Sequence, residues 1–176
     1  QALSVEKSGW GDGFRARQAE ALRQGRYIGQ GLANYVEGTG LGPFEGATTM
    51  ILPSGRILLK TGSSAQGQGS RTAYAQIAAD AFNVDVSQID VEVGDTNSVP
   101  IGVGAFASRL MVNVGSSVSV SSAAVVKKLK QIAAALFEVD EDDVELVDGR
   151  VRVAASQGAS MSFAEVARIT SGMPGF

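Results

Sequence analysis

The chain has 176 residues, enough for one domain with a real core and too few for two well-developed ones. Hydrophobic residues at 44% and charged residues at 19% fit a folded globular chain and exclude a disordered tail or a collagen-like repeat. With no histidine, no cysteine and a net charge of −3, the chain lacks imidazole bases, thiolate nucleophiles, Cys/His zinc sites, cysteine-held iron–sulfur clusters and disulfides, and also the positive field of a nucleic-acid binder.

Asp12 is placed to cap a helix over 13–24 that carries Phe14, Ala21 and Leu22 on one face and stops at Gly25. Gly9, Gly11 and Gly13 around Trp10 set it apart from a shorter helix before it. Residues 26–36 read as a strand, and Gly38, Gly40, Gly42 and Pro43 as a loop rich in breakers. Strands over 45–52 and 56–61 flank Pro53-Ser54-Gly55, the composition of a tight hairpin. Over 70–82, Tyr74, Ile77, Ala78, Ala81 and Phe82 recur at helical spacing, which predicts an amphipathic helix. Residues 89–93 alternate apolar and acidic as a half-buried strand does, and Gly94-Asp95-Thr96-Asn97 ends it in a turn.

A loop to 108 leads into a long helix reaching 137. Val118, Val125, Leu129, Ile132 and Leu136 form its buried side, and small Gly115, Ser117, Ser121, Ala123 and Ala124 permit close packing. Asp148-Gly149 joins strands over 144–147 and 150–153. A last helix over 161–169 takes Ser162 as its cap and frays at Gly172-Met173-Pro174-Gly175. Helices and strands mix without a strict βαβ period. The expected class is α+β, a mixed sheet with hairpins packed against one long and two or three shorter helices, with a doubly wound sheet as the rival. No apolar stretch reaches a bilayer span, and no leader pattern opens the chain, so no membrane partner is expected. Gln1 in place of a start methionine points to a chain processed or cut from something larger.

Two glycine-rich loops, each leading into a helix, carry the candidate chemistry. In the first, 62–72, glycines allow positive φ and close backbone approach, while free N–H groups at the helix start favour an anion. Gly62 and Gly67 have nucleotide-loop spacing, but Gln68 and Gly69 stand where lysine and a hydroxyl residue belong, so ATP or GTP binding fails. Thr72 replaces the third glycine of a dinucleotide fingerprint, which disfavours NAD. In the second, 102–109, Ser108 can cap the long helix and Arg109 offers a forked donor to phosphate. A shared anionic ligand explains both loops, against the plain reading of two helix starts and a surface arginine. Asp140-Glu141-Asp142-Asp143 lacks the pattern of a calcium loop and reads as a solvated turn. Lys127, Lys128 and Lys130 belong to a wet helix face, and Trp10, Phe44 and Phe82 to packing. Glu37 and Glu45 flank the breaker loop, but that spacing does not fix an acid/base pair.

Arg26-Tyr27-Ile28-Gly29, the run from Glu37 to Glu45, Gly67-Gln68-Gly69 with Gln76-Ile77-Ala78-Ala79-Asp80, Gly94-Asp95-Thr96 and Ala107-Ser108-Arg109 together resemble the molybdenum hydroxylases. These are the xanthine dehydrogenase, aldehyde oxidase and aerobic carbon monoxide dehydrogenase group, and the ordered match runs over about 26–153. The resemblance implies that residues 1–176 are a single domain, or a fragment of the molybdopterin-binding domain of a larger catalytic subunit. It also implies that Gly67, Gln68 and Gly69 contact the pterin cofactor and that Ala107, Ser108 and Arg109 help to hold the pterin or its phosphates. The cofactor implied is molybdopterin, in its cytosine dinucleotide form, with molybdenum.

Further implied are iron–sulfur clusters and FAD on partner domains or subunits, a small-molecule substrate and a cytoplasmic setting. Family enzymes hydroxylate carbon with oxygen derived from water, using a glutamate near the end of the subunit. Glu165 does not stand in that motif, so no catalytic residue and no protein metal ligand is assigned, and the piece alone is expected to be inactive. The competing readings are a noncatalytic scaffold or subunit-contact module, and an independent phosphate-ligand enzyme.

Overall fold

The computed structural model describes residues 2–154 and 158–172, and they form two units, 1–37 and 38–176. In the first unit, α1 (Ala2–Ser8) and α2 (Asp12–Arg23) are separated by Gly9 and Gly11, both at positive φ. Gly11, not Asp12, occupies the capping position, and Asp12 lies in the first turn, where its charge meets the positive end of the helix dipole. Ala21 is buried while Leu22 is exposed. The strand expected over 26–36 does not form. A strand needs a ladder partner, and this unit offers two helices and no strand among its described residues. Tyr27, Tyr35 and Val36 are left 84–99% exposed.

In the second unit, alternation buries Ile57, Leu59 and Thr61 on one face of β2 (Ile57–Thr61). β1 (Ala47–Ile51) pairs antiparallel with β2 across the predicted hairpin, whose Gly55 takes φ 87° and donates its N–H to Leu52 O at 2.8 Å. α3 (Ser70–Phe82) then crosses over so that β3 (Ile89–Val93) lies parallel to β2, giving the order β1-β2-β3. The helix α4 (Ser116–Phe137) follows a π-helical stretch, Leu110–Gly115. A second sheet, β4 (Val144–Val147), β5 (Arg150–Val153) and β6 (Ser160–Ser162), is antiparallel throughout. α5 (Phe163–Thr170) closes the described chain. The class is α+β as expected, but the described residues form two three-stranded sheets rather than one.

One core serves both sheets. Ile57 and Leu59 from β2, Tyr74, Ala78 and Phe82 from α3, Val118 and Ile132 from α4, Val144 and Val151 from the second sheet, and Phe163 and Val166 from α5 are all buried in it. Phe82 meets Phe163 edge to face, ring centres 6.1 Å apart. Small residues on α4 allow close packing: Thr49 Oγ1 lies 2.7 Å from Ser121 Oγ, and Ser122 is fully buried. Leu136 is exposed rather than buried, and so are Trp10 and Phe44, contrary to the packing role expected of them. The helical run over 110–137 is long and apolar enough to cross a bilayer, contrary to the expectation that no stretch is. Here Val118, Leu129 and Ile132 pack it into the core while Lys127 and Lys128 face solvent. The predicted end at 173–175 lies outside the described residues.

Ser162 caps α5 as the sequence indicates: the Glu165 N–H donates to Ser162 Oγ at 3.3 Å, and the Ser162 N–H donates back to Glu165 Oε2 at 2.7 Å. Ser162→Ala is therefore expected to cost about 1 kcal/mol in urea unfolding. A shift in midpoint indistinguishable from zero would show that the capping box does not hold the helix start.

Candidate functional site

Three glycine-containing loops, 38–45, 62–69 and 102–109, meet beside the first sheet. The contact between the second and third is backbone on backbone. A Cβ added to Gly62 would stand 1.9 Å from Ile101 O and 2.5 Å from Gly102 Cα, and one added to Gly102 would stand 2.3 Å from Gly62 O. Only residues without a side chain allow this crossing. One step further, the Gly104 N–H donates to Ser63 Oγ at 3.2 Å.

The crossing is tied by a buried ion pair. Arg109 and Glu45 both have fully buried side chains, and the Arg109 Nη1 group donates to Glu45 Oε1. The same guanidinium donates from Nε to Leu41 O at 2.9 Å, from Nη1 to Gly104 O at 3.0 Å and from Nη2 to Pro43 O. Glu45 Oε1 also accepts from the Ser63 hydroxyl at 2.5 Å and from the Val103 and Gly104 N–H groups at 3.0 and 3.3 Å. Glu45 Oε2 is buried without a hydrogen-bond partner among the described residues. Glu45 is thus bound into an ion pair, which leaves it no role in an acid/base pair with Glu37.

Burial by itself raises the Glu45 carboxyl. The Ser63 hydroxyl, the Arg109 guanidinium and the Val103 N–H outweigh burial and hold the carboxyl below its ordinary value of 4.5. A carboxyl with a lowered folded pKa is the weaker proton binder in the native state. Its stabilisation is complete above the unfolded value and is lost as pH falls through the lower folded one. Native stability is expected to drop more steeply below pH 4.5 in the wild type than in Glu45→Gln, which lacks the group. Superimposable acid unfolding curves would remove Glu45 from that account.

The sequence-predicted site residues fall into two groups. Gly67, Gln68 and Gly69 are exposed just before α3. Gly67 and Gly69 take φ 96° and 79°, and a Cβ at either would meet nothing within 4 Å. Gly69 occupies the capping position, so no side chain caps the first turn and its N–H groups are open to an anion. The Gln68 amide oxygen turns back to accept from the Gln66 N–H at 2.5 Å. In the other loop, a Cβ at Gly104 would likewise meet nothing within 4 Å, but its N–H and its carbonyl are already held by Ser63, Glu45 and Arg109, and Ala107 and Ser108 hold left-handed φ of 47° and 50°.

Ser108 does not cap the long helix as expected. Its left-handed backbone is not the extended one a cap requires, and Arg109 takes the position before the π-helical stretch, with no side-chain cap. Ser108 is exposed. Arg109 is fully buried, so its guanidinium is spent on Glu45 and three carbonyls. Sequence reasoning missed the Glu45–Arg109 pair, because neither charge belongs to a periodic face and 64 positions separate them. The fit to an anionic cofactor therefore rests on open backbone at Gly67 and Gly69, and on the crossing that joins their loop to 102–109.

The profile of the molybdopterin cofactor-binding domain matches residues 4–174. The chain belongs to that family. Nicotine 6-hydroxylase large subunit from Paenarthrobacter nicotinovorans is 34% identical over 166 residues, 88% of this chain and 20% of its own length. The gamma subunit of the 6-hydroxypseudooxynicotine dehydrogenase complex from the same organism is 37% identical over 137 residues, 77% of this chain and 17% of its own. The reconstituted CO dehydrogenase structure from Oligotropha carboxidovorans superposes with TM-score 0.69 at 29% identity, covering 99% of this chain and 24% of that one. The chain thus spans about a fifth of the length of the curated relatives it matches.

Proposed function

We propose that this molybdopterin-binding domain serves a complete large subunit that hydroxylates a small molecule in the manner of xanthine dehydrogenase, and that it grips the cofactor with its two crossed loops. The observation that carries the reading is the Gly62–Gly102 crossing, which places two glycine loops and the uncapped start of α3 in one assembly. Gly67 and Gly69 offer backbone N–H groups, and Gln68 its amide, to the pterin. Ala107 and Ser108 contact it from the other loop. Arg109 stands behind them. When bound, the molybdenum centre supplies two-electron redox chemistry, while this chain supplies binding, orientation and charge compensation. The cofactor form is the cytosine dinucleotide, and iron–sulfur and flavin domains or subunits accept the electrons.

The test uses the complete large subunit, produced in cells that make the cofactor. About one molybdenum and one pterin dinucleotide per subunit are expected by elemental analysis and nucleotide release. A preparation free of both would replace this reading with the scaffold. Residues 1–176 alone are expected to bind the pterin weakly or undetectably, because the rest of the enclosing cavity lies elsewhere in the subunit. Tight binding by this piece would contradict that expectation.

A further inference from the structure

A buried ion pair contributes little net stability compared with apolar residues of similar volume, so stability alone does not account for Glu45 and Arg109. Their partners do. The arginine reaches Leu41 O and Pro43 O in one loop and Gly104 O in another, and the carboxylate it meets gathers Ser63, Val103 and Gly104. Ala107 and Ser108, immediately before the arginine, are consecutive non-glycine residues in the left-handed region. Such a conformation persists only where the surroundings impose it. Here Ala107 O accepts from the Gly40 N–H at 3.0 Å, and the Arg109 guanidinium lies 5.0 Å from the Phe106 ring centre.

We infer that Arg109 is a positioning residue for the cofactor. Through Glu45 it locks loop 102–109 onto loop 62–69 and holds Ala107 and Ser108 in the backbone that meets the ligand, without touching the ligand itself. The inference rests on the proposed cofactor reading, and it differs from a phosphate-binding arginine. The role needs a planar fork with several donors in fixed directions. A lysine carries the charge but cannot serve Glu45 and carbonyls of two loops together.

The experiment compares the complete subunit, with and without cofactor, in wild type, Glu45→Gln and Arg109→Lys, using Phe82→Ala as a core-destabilised control. Amide hydrogen exchange over 102–109 is expected to rise at least tenfold in both site variants, in the cofactor-free form as well, while exchange over 70–82 stays within twofold. Bound pterin is expected to fall severalfold, and the visible spectrum of the remaining bound centre to shift. Phe82→Ala is expected to leave the exchange of 102–109 relative to 70–82 and that spectrum as in wild type.

Unchanged exchange over 102–109 in the site variants overturns the inference. So does the same local loosening in Phe82→Ala, or a loosened loop that keeps full cofactor and a wild-type spectrum. If Arg109→Lys does not accumulate, Ser63→Ala removes two hydrogen bonds of the lock, the one donated to Glu45 and the one accepted from Gly104, and is expected to raise exchange there about threefold, with no rise counting against the inference. A wild-type subunit without cofactor refutes the cofactor reading separately, because the cofactor-free exchange still decides whether the pair locks the loop.

Discussion

Gly62→Ala is expected to cost at least about 3 kcal/mol, the upper end for overpacking, because the atoms in its way are backbone and cannot swing aside. The added Cβ would lie 1.9 Å from Ile101 O, well inside any tolerated contact. Relief requires the 62–69 and 102–109 loops to part, which also separates Ser63 from Gly104. The effect is steric and not conformational, since Gly62 is absent from the glycines at positive φ. Gly102→Ala should behave alike, with its Cβ 2.3 Å from Gly62 O. Gly67→Ala is the contrast: the space is open and only the left-handed φ of 96° penalises it, by roughly 1–2 kcal/mol. Urea unfolding of the three variants checks the order, and a Gly62→Ala protein within about 1 kcal/mol of wild type would mean that the loops do not cross so closely.

Arg109→Met is expected to lose about 3–5 kcal/mol, the range for removing one partner of a buried ion pair. The methionine fills much of the space but leaves the Glu45 charge in a site with no exposed side-chain surface. It also strips the donor from Leu41, Pro43 and Gly104 carbonyls. Adding Glu45→Gln removes the stranded charge, so the double variant should be less destabilised than the sum of the single ones, with a coupling of roughly 1–3 kcal/mol in the cycle. Strict additivity would show that the two side chains do not interact in solution.

These two variants report on different joints of one assembly. The glycine crossing sets how near the loops come, and the ion pair sets their orientation once there. In the proposed cofactor reading, Gly67, Gly69, Ala107 and Ser108 meet the ligand and both joints stand behind them. A ligand gripped by backbone N–H groups needs this support, since backbone donors are only as well placed as the chain that carries them.

Much of the local structure is written in nearby residues. The helical spacing of Tyr74, Ile77, Ala78 and Phe82 and the alternation over 89–93 locate α3 and β3 to the residue. Pro53-Ser54-Gly55 and Asp148-Gly149 locate both hairpins, the latter with φ of 48° and 75° as a two-residue turn requires. The glycine loops are visible as breaks before helices, and the ordered motifs point to the family that the domain match shows. These signals act over a few positions, where steric preference, turn chemistry and hydrophobic period operate without knowledge of the rest of the chain.

Tertiary structure decided what depends on a distant partner. Residues 26–36 have strand composition, yet no strand stands beside them, and composition cannot supply a ladder. The parallel pairing of β2 with β3, and the division into two sheets, follow from how α3 and α4 pack and not from any single segment. Arg109 carries the same charge whether it faces a phosphate or a carboxylate. Only folding, by bringing Glu45 to it across 64 positions and removing water from both, turned a donor expected to bind ligand into one half of a buried ion pair.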